Sequence, residues 1–234
     1  MDAIPEDWST AVCVVAHPDD LEYGPAAAVA RWTDQGKEVA YVLATSGEAG
    51  IDGLAPADCQ PLREEEERRS AALVGVRHVE FLGHPDGMVE PGLALRRDIA
   101  GAIRRLRPDV VVTMNFDLTW GDGEAVNHAD HRVVGRAVLD AARDAANRWV
   151  FPEVGERRAG LEHVYVSGTV DATHYVDVGE TFERGIASLR EHRAYLDGLG
   201  QEFDPDAFYR EITGSLGAAT GCQHAIGFRR YAVG

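Results

Sequence analysis

Cysteine is scarce: three occur in 234 residues, Cys13, Cys59 and Cys222, and no two stand in a CxxC spacing. That excludes a disulfide framework and a thiolate zinc site, and it sets the expectation of a reduced, cytoplasmic setting. Lysine is scarcer still. Lys37 is the only one, which removes a Schiff-base or P-loop lysine from consideration. Lysine and arginine together number 23 against 39 aspartates and glutamates, for a formal net charge of −16. Such a balance argues against nucleic acid or an anionic membrane as partner and leaves a small molecule. No apolar run approaches the length of a membrane span, and the acidic opening Met1-Asp2-Ala3-Ile4-Pro5-Glu6-Asp7 lacks an apolar signal core. The expectation is a chain neither secreted nor inserted in a membrane. Also missing are a Gly-x-Ser-x-Gly elbow and a Gly-x-Gly-x-x-Gly turn after the first strand, so neither a serine hydrolase nor a dinucleotide site is supported.

What is present is an alternation of short apolar runs and helical patterns. Residues 11–16 are six consecutive apolar side chains, the mark of a parallel strand buried on both faces, and Pro18 ends it. Residues 24–35 carry Ala26, Ala27, Val29, Ala30 and Trp32 at helical density, with Gly36 as the stop. A second buried strand over 39–45 leads into a loop running to about residue 60, long enough to be a binding loop or lid. Pro61 suits a helix start, and 62–74 continues that helix through the charge run Arg63 to Arg69. That run reads mostly as a solvated face with Glu64/Arg68 and Glu65/Arg69 pairs.

Strand 79–82, helix 93–106 and strand 110–113 follow. A Gly-rich loop, Trp120-Gly121-Asp122-Gly123, then precedes helix 130–146. Strands at 164–167 and 174–177, a helix over 180–196, another near 205–216 and a final strand near 226–231 complete the pattern. The β-α order with short connections predicts one α/β domain, doubly wound about a mostly parallel sheet.

Sheets of that kind bind ligands beyond the carboxyl ends of their strands. There, just past the first strand, stand His17, Asp19, Asp20 and Glu22. A second cluster, Asn127-His128-Ala129-Asp130-His131, lies over a hundred residues later at a helix start, where His128 and His131 share one face. Together they offer more imidazole and carboxylate than one metal requires. A catalytic zinc takes three ligands of the His₂-carboxylate kind and keeps a position open for water, which frees the remaining groups to act as acid and base. A 2-His-1-carboxylate iron centre draws on the same residue types, and the pattern alone lets either Asp19 or Asp20 be the ligand. Arg63 and Asp86, both near strand ends, are candidates for contacts to the hydroxyls of a polar substrate. Lone histidines such as His78, His163 and His224 read as structural or surface residues.

Ala16-His17-Pro18-Asp19-Asp20-Leu21-Glu22 resembles the AHPDDxE signature of the zinc-dependent sugar N-deacetylases, the LmbE-like or PIG-L superfamily. His128-Ala129-Asp130-His131 is similar to its HPDH motif, with Ala129 in place of the usual proline. Thr45-Ser46-Gly47-Glu48, the Arg63 helix, Phe81-Leu82-Gly83 and Asp86-Gly87 fall between them in family order, so the resemblance covers residues 11–145. It implies a Rossmann-like fold, a single such domain over residues 1–234, and Zn²⁺ held by His17, Asp20 and His131, with Fe²⁺ or another divalent metal still open. It further implies Asp19 as general base, His128 as the group that stabilises the oxyanion or protonates the leaving amine, and Asp130 as the partner orienting His128. Arg63 and Asp86 match positions that contact the sugar in some relatives. Glu191-His192-Arg193 lies where relatives carry a histidine near the site, without their following Ser-Gln.

The activity implied is hydrolysis of an N-acetyl or other N-acyl group on an amino sugar or glycosylated small molecule. The alternatives are an amidase acting on a larger acyl group or a thiol conjugate, and a non-catalytic carbohydrate- or metal-binding module. The reading is compatible with a homo-oligomer.

Overall fold

Alternate residues of the first long strand point into two different cores. Val12, Val14 and Ala16 pack with Ile99, Ile103, Val134 and Val138, while Cys13 and Val15 pack with Ala27, Trp32, Ile186 and Phe228 on the opposite face. A strand with period-two side chains and both faces buried belongs to the middle layer of an α/β/α sandwich. The computed structural model, which describes residues 1–121, 123–200 and 203–233, has that architecture.

In chain order the elements are β1 (Asp2–Ala3), β2 (Thr10–Val15), α1 (Ala26–Asp34), β3 (Glu38–Leu43), α2 (Pro56–Leu73), β4 (His78–Phe81), α3 (Leu93–Leu106), β5 (Val110–Met114), α4 (Ala129–Ala146), β6 (His163–Ser167), β7 (His174–Asp177), α5 (Phe182–Leu189), α6 (Arg193–Gly198), α7 (Pro205–Thr220) and β8 (Ala225–Ala232). The eight strands form one sheet in the order β1-β7-β8-β6-β5-β2-β3-β4. It is mostly parallel, and β8 runs antiparallel between β6 and β7. From β2 the chain winds outward through β3 and β4, then returns to place β5 on the other flank of β2. The winding direction therefore reverses between β2 and β5, and the crevice beyond their carboxyl ends is the expected binding position of such a sheet. Among the described residues, no helix is long and apolar enough to cross a membrane.

The expected α/β class and doubly wound sheet are what the chain adopts, with three local differences. Helix α2 begins at Pro56 rather than Pro61, because Pro56 occupies the first helical turn, where a missing N–H costs nothing, and Pro61 lies inside the helix. The loop before it is correspondingly shorter. The helix expected over 180–196 is two helices, since the backbone of His192 leaves helical geometry (φ −78°, ψ 50°) and its ring turns into the interior. Finally, the charge run of α2 is only half solvated. Glu64 pairs with Arg68 at 2.9 Å and Glu65 with Arg69 at 3.6 Å as expected, yet Arg63, Glu66, Glu67 and Ser70 form a buried polar face. Asp122 of the Gly-rich loop lies outside the described residues.

Candidate active site

The crevice beyond β2 and β5 opens into a cavity of about 540 Å³ whose wall includes His17, Asp19, Asp20, Arg63, Asp86, His128, His131 and Tyr195. That is the size range of small-molecule sites. Seven of the eight residues given a catalytic, metal or substrate role from the sequence line it. Asp130 stands behind the wall, fully buried.

Asp20 is fixed by the backbone that carries it. Its Oδ2 accepts the N–H groups of Ala16 (2.9 Å) and His17 (2.8 Å), which leaves Oδ1 facing His131 Nε2 at 3.0 Å and His17 Nδ1 at 3.7 Å. Burial opposes its charge, but His131 and His17 outweigh that and hold its pKa below the usual carboxylate range.

The tautomers of the two imidazoles follow from their outer partners. Asn127 donates from Nδ2 to the carbonyls of Asn115 and Asp117, both at 3.0 Å, so its Oδ1 must be the atom 3.0 Å from His131 Nδ1. His131 Nδ1 therefore carries the hydrogen, and Nε2 presents a lone pair. On His17, Nε2 faces two carboxylate oxygens, Asp86 Oδ1 at 3.1 Å and Asp130 Oδ2 at 3.2 Å, which require it to be the donor. Its Nδ1 then presents a lone pair to His131 Nε2 across 3.1 Å.

With both imidazoles neutral, as a cation requires, three lone-pair donors, two nitrogens and one carboxylate oxygen, thus converge with edges of 3.0, 3.1 and 3.7 Å. In that form they repel one another, and either a cation or a proton on His17 relieves it. Ligands about 2.0–2.2 Å from a tetrahedral cation are separated by roughly 3.3–3.5 Å, so the triangle has the size and chemistry of a metal-binding face. His128 adds a further imidazole donor within 4.8 Å of the other two histidines.

Asp130 differs from its expected role. Its Oδ1 accepts Val89 N–H (3.1 Å) and its Oδ2 accepts Gly87 N–H (2.7 Å) and faces His17, so the carboxylate orients His17 rather than the ring of His128. Only the backbone N–H of Asp130 meets His128, at Nδ1 across 3.3 Å. That contact leaves the hydrogen of a neutral His128 on Nε2. Partial desolvation, with His17 and His131 adding to it, lowers the pKa of His128 and favours this neutral form.

Asp19 is the neighbour of Asp20 with the opposite environment. Its Oδ2 accepts Arg63 Nη2 at 3.0 Å, and no hydrogen bond occupies Oδ1 among the described residues. Burial raises its pKa, Arg63 works against that and the adjacent Asp20 reinforces it. Two adjacent carboxylates are thereby pushed in opposite directions, the usual mark of divided roles. Arg63 also donates to the Pro18 carbonyl and is roofed by the ring of Tyr195 at 4.0 Å. Gly47 (φ +64°) makes room for it, since a Cβ there would lie 3.0 Å from Arg63 Nε and from Pro18 Cδ. Asp86 lines the cavity with Oδ1 on His17 and Oδ2 accepting Ala49 N–H at 2.8 Å.

The family model described as GlcNAc-PI de-N-acetylase, PIG-L, matches residues 12–142, which span both halves of this site. The chain belongs to the PIG-L family. Its resemblance to individual members extends over nearly the whole length. It is 28% identical to diacetylchitobiose deacetylase of Thermococcus kodakarensis over 233 residues, covering 95% of this chain and 83% of the relative. It is 34% identical to the 1D-myo-inositol 2-acetamido-2-deoxy-alpha-D-glucopyranoside deacetylase of Geodermatophilus obscurus, covering 89% and 93%. Among solved structures, the N,N'-diacetylchitobiose deacetylase of Pyrococcus horikoshii, in complex with its inhibitor MPG, superposes with a TM-score of 0.85 at 24% identity, covering 97% of this chain and 85% of the other. As a PIG-L member the chain carries the AHPDDxE stretch on the β2 side of the crevice and its HxDH counterpart on α4, and the fold closes the distance between them.

The sequence names Asn127 and Glu22 within the two clusters and His192 by resemblance without giving them a role, puts Glu67 in a mostly solvated run, and passes over Tyr195. Asn127 had a readable signal: it stands four residues before His131, just ahead of the start of α4, where an imidazole ligand needs an outer acceptor.

Proposed function

We propose that this protein is a metal-dependent N-deacetylase that hydrolyses the acetamide of an amino sugar or a glycosylated small molecule. The observation that carries the reading is the convergence of three lone pairs, from His17, Asp20 and His131, beside a carboxylate that none of them uses. The relatives' names supply the substrate class. His17, Asp20 and His131 would hold one divalent cation, with zinc the best match to the His₂-carboxylate donors and Fe²⁺ suited to the same set. When bound, such a cation supplies Lewis acidity toward a carbonyl and acidifies water in the cleft.

The chain's own residues supply the rest. Asp19 takes the proton of the attacking water on Oδ1, the oxygen that Arg63 leaves free, while Arg63 keeps the carboxylate from turning away. His128 offers Nε2–H as a hydrogen bond to the negative charge that develops on the carbonyl oxygen, and the proton that Asp19 has taken passes to the departing amine, which returns both residues to their starting forms. Asp130 and Asp86 hold the tautomer of His17, and Asn127 holds that of His131. Arg63 and Asp86 stand at the wall where a sugar would lie, so a hydroxyl can share the remaining acceptor capacity of Asp86.

The test is release of free amine from N,N'-diacetylchitobiose and N-acetylglucosamine, followed by mass spectrometry with and without chelator. Loss of an acetyl group that chelation abolishes is expected. Both sugars remaining fully acetylated, with metal bound at one per chain, would overturn this substrate assignment and leave the amidase of a larger acyl group or the binding module. A separate expectation concerns Asn127→Leu. It removes the acceptor from His131 Nδ1, so metal affinity should fall 10- to 100-fold in a chelator competition titration. Unchanged affinity would detach Asn127 from the metal site.

A further inference from the structure

Behind Asp19 lies a closed polar cluster that does not reach the cavity. Glu22, Glu67 and His192 are all fully buried, and they come from three separate places: the β2–α1 loop, the inner face of α2 and the joint between α5 and α6. His192 Nε2 is 3.5 Å from Glu22 Oε2 and 3.7 Å from Glu67 Oε2, and Ser70 Oγ donates to Glu22 Oε1 at 2.6 Å. Three buried polar residues at one point need a reason, because each carries a desolvation cost that an apolar side chain would not.

The reason is visible at Asp19. Its backbone stands at φ +98°, in the left-handed half of conformational space that a non-glycine residue avoids. Its N–H, which this turn aims inward, is accepted by Glu67 Oε2 at 3.2 Å. The Asp19 carbonyl accepts the N–H groups of Glu22 and Tyr23, both at 2.9 Å, which closes the turn from the other side. On the same face of α2, Arg63 grips the Asp19 carboxylate, and Glu66 Oε1 accepts Ala194 N–H at 2.6 Å, tying the start of α6 to α2. The polar face of α2 thus holds Asp19 at two points, backbone and side chain.

We propose that Glu67, backed by His192 and Glu22, is a positioning residue that holds Asp19 in its left-handed turn and so aims Oδ1 into the cleft. The proposal rests on the reading of Asp19 as general base. Glu67 touches no part of the cavity, so it acts only through Asp19.

The test compares three variants, using N,N'-diacetylchitobiose as substrate, elemental analysis for metal and the backbone ¹⁵N–¹H resonance of Asp19 as a report independent of turnover. Glu67→Gln keeps a carbonyl oxygen within reach, so kcat and the Asp19 amide shift should stay near wild type. Glu67→Met has similar length and no acceptor. Its kcat should fall 10- to 100-fold with KM within about twofold, metal should stay at one per chain, and the Asp19 amide should lose its hydrogen-bonded shift. Glu67→Asp keeps the charge but withdraws the oxygen by one methylene. It should behave like the Met variant, and it serves if the Met variant does not fold.

Wild-type kcat and an unmoved Asp19 amide in both Met and Asp variants would overturn the proposal. So would a Gln variant as slow as Met, which would assign the effect to charge instead of the acceptor. A wild-type metal content of two per chain, falling to one in the Glu67 variants, would also overturn it, since the cluster would then be a second metal site. Full activity in Asp19→Asn would end the general-base reading, while the amide shift would still report whether Glu67 holds the turn. In the Asp19→Asn background, Glu67→Met should add no further loss.

Discussion

His131→Ala should purify as a folded protein that has lost stoichiometric metal and, with it, amine release. The variant removes one vertex of the three-donor face and leaves Asp20 Oδ1 and His17 Nδ1, at 3.7 Å, as an incomplete pair. It also strands Asn127 Oδ1, whose only described partner is the lost ring. Removing a ligand should weaken metal binding well beyond the 10- to 100-fold attached to an outer partner such as Asn127. Elemental analysis after dialysis decides the matter: stoichiometric metal with unchanged affinity in His131→Ala would move the site to other donors. Acid should do reversibly what the mutation does permanently. In the metal-free protein burial disfavours the charged form of His17, but Asp20, Asp130 and Asp86 outweigh it and raise its pKa well above the ordinary histidine value. Protons therefore compete for the same ring already above that value, and metal affinity should decline as pH falls. Affinity measured by chelator competition at descending pH should follow that direction. Affinity that rises on acidification would contradict a site built from neutral imidazoles.

How far the sequence could be read depended on whether an element's burial is apolar. β2 was legible because six consecutive apolar residues leave no face for water, and α3 because its outer positions are mostly charged and its inner ones apolar apart from Arg104. The two site stretches were legible because each ends or begins an element at a crevice, a place the chain order dictates. The inner face of α2 was not. Cys59, Arg63, Glu66, Glu67, Ser70 and Ala71 follow helical spacing, but most are polar, and a hydropathy pattern assigns polar side chains to solvent. The break at His192 was hidden for the same reason, since what interrupts the helix is a tertiary pull toward Glu22 and Glu67 and not a proline or glycine. Helical adjacency points Asp130 to His128, whereas its carboxylate is drawn to the Gly87 and Val89 amides and His17, all distant in sequence. The antiparallel insertion of β8 between β6 and β7 left no mark in the periodicity of those strands, because alternation specifies a strand's faces and not its neighbours.

The sharpest consequence of the geometry is that Asp19 and Asp20, adjacent and chemically identical, should fail in different ways. Asp20 spends one oxygen on two backbone amides and aims the other at both histidines, whereas Asp19 spends one oxygen on Arg63 and keeps the other for the cleft. Asp20→Asn retains a carbonyl oxygen but loses the charge that balances two imidazoles and a cation. If its NH₂ group takes the inner position, it also loses the lone pair, so metal content should drop and activity with it. Asp19→Asn can still accept from Arg63 through its carbonyl oxygen and disturbs none of the three metal donors, so it should retain one metal per chain. What it cannot do is take a proton. Loss of a general base costs typically 10²–10⁴-fold in kcat, equivalent to about 2.7–5.4 kcal/mol of activation free energy, with KM little changed. Metal content and kcat measured on the same preparations separate the two roles. Metal lost from Asp19→Asn and kept in Asp20→Asn would exchange the assignments. Full turnover in a metal-replete Asp19→Asn would mean that the proton leaves by another route and would remove Asp19 as the base.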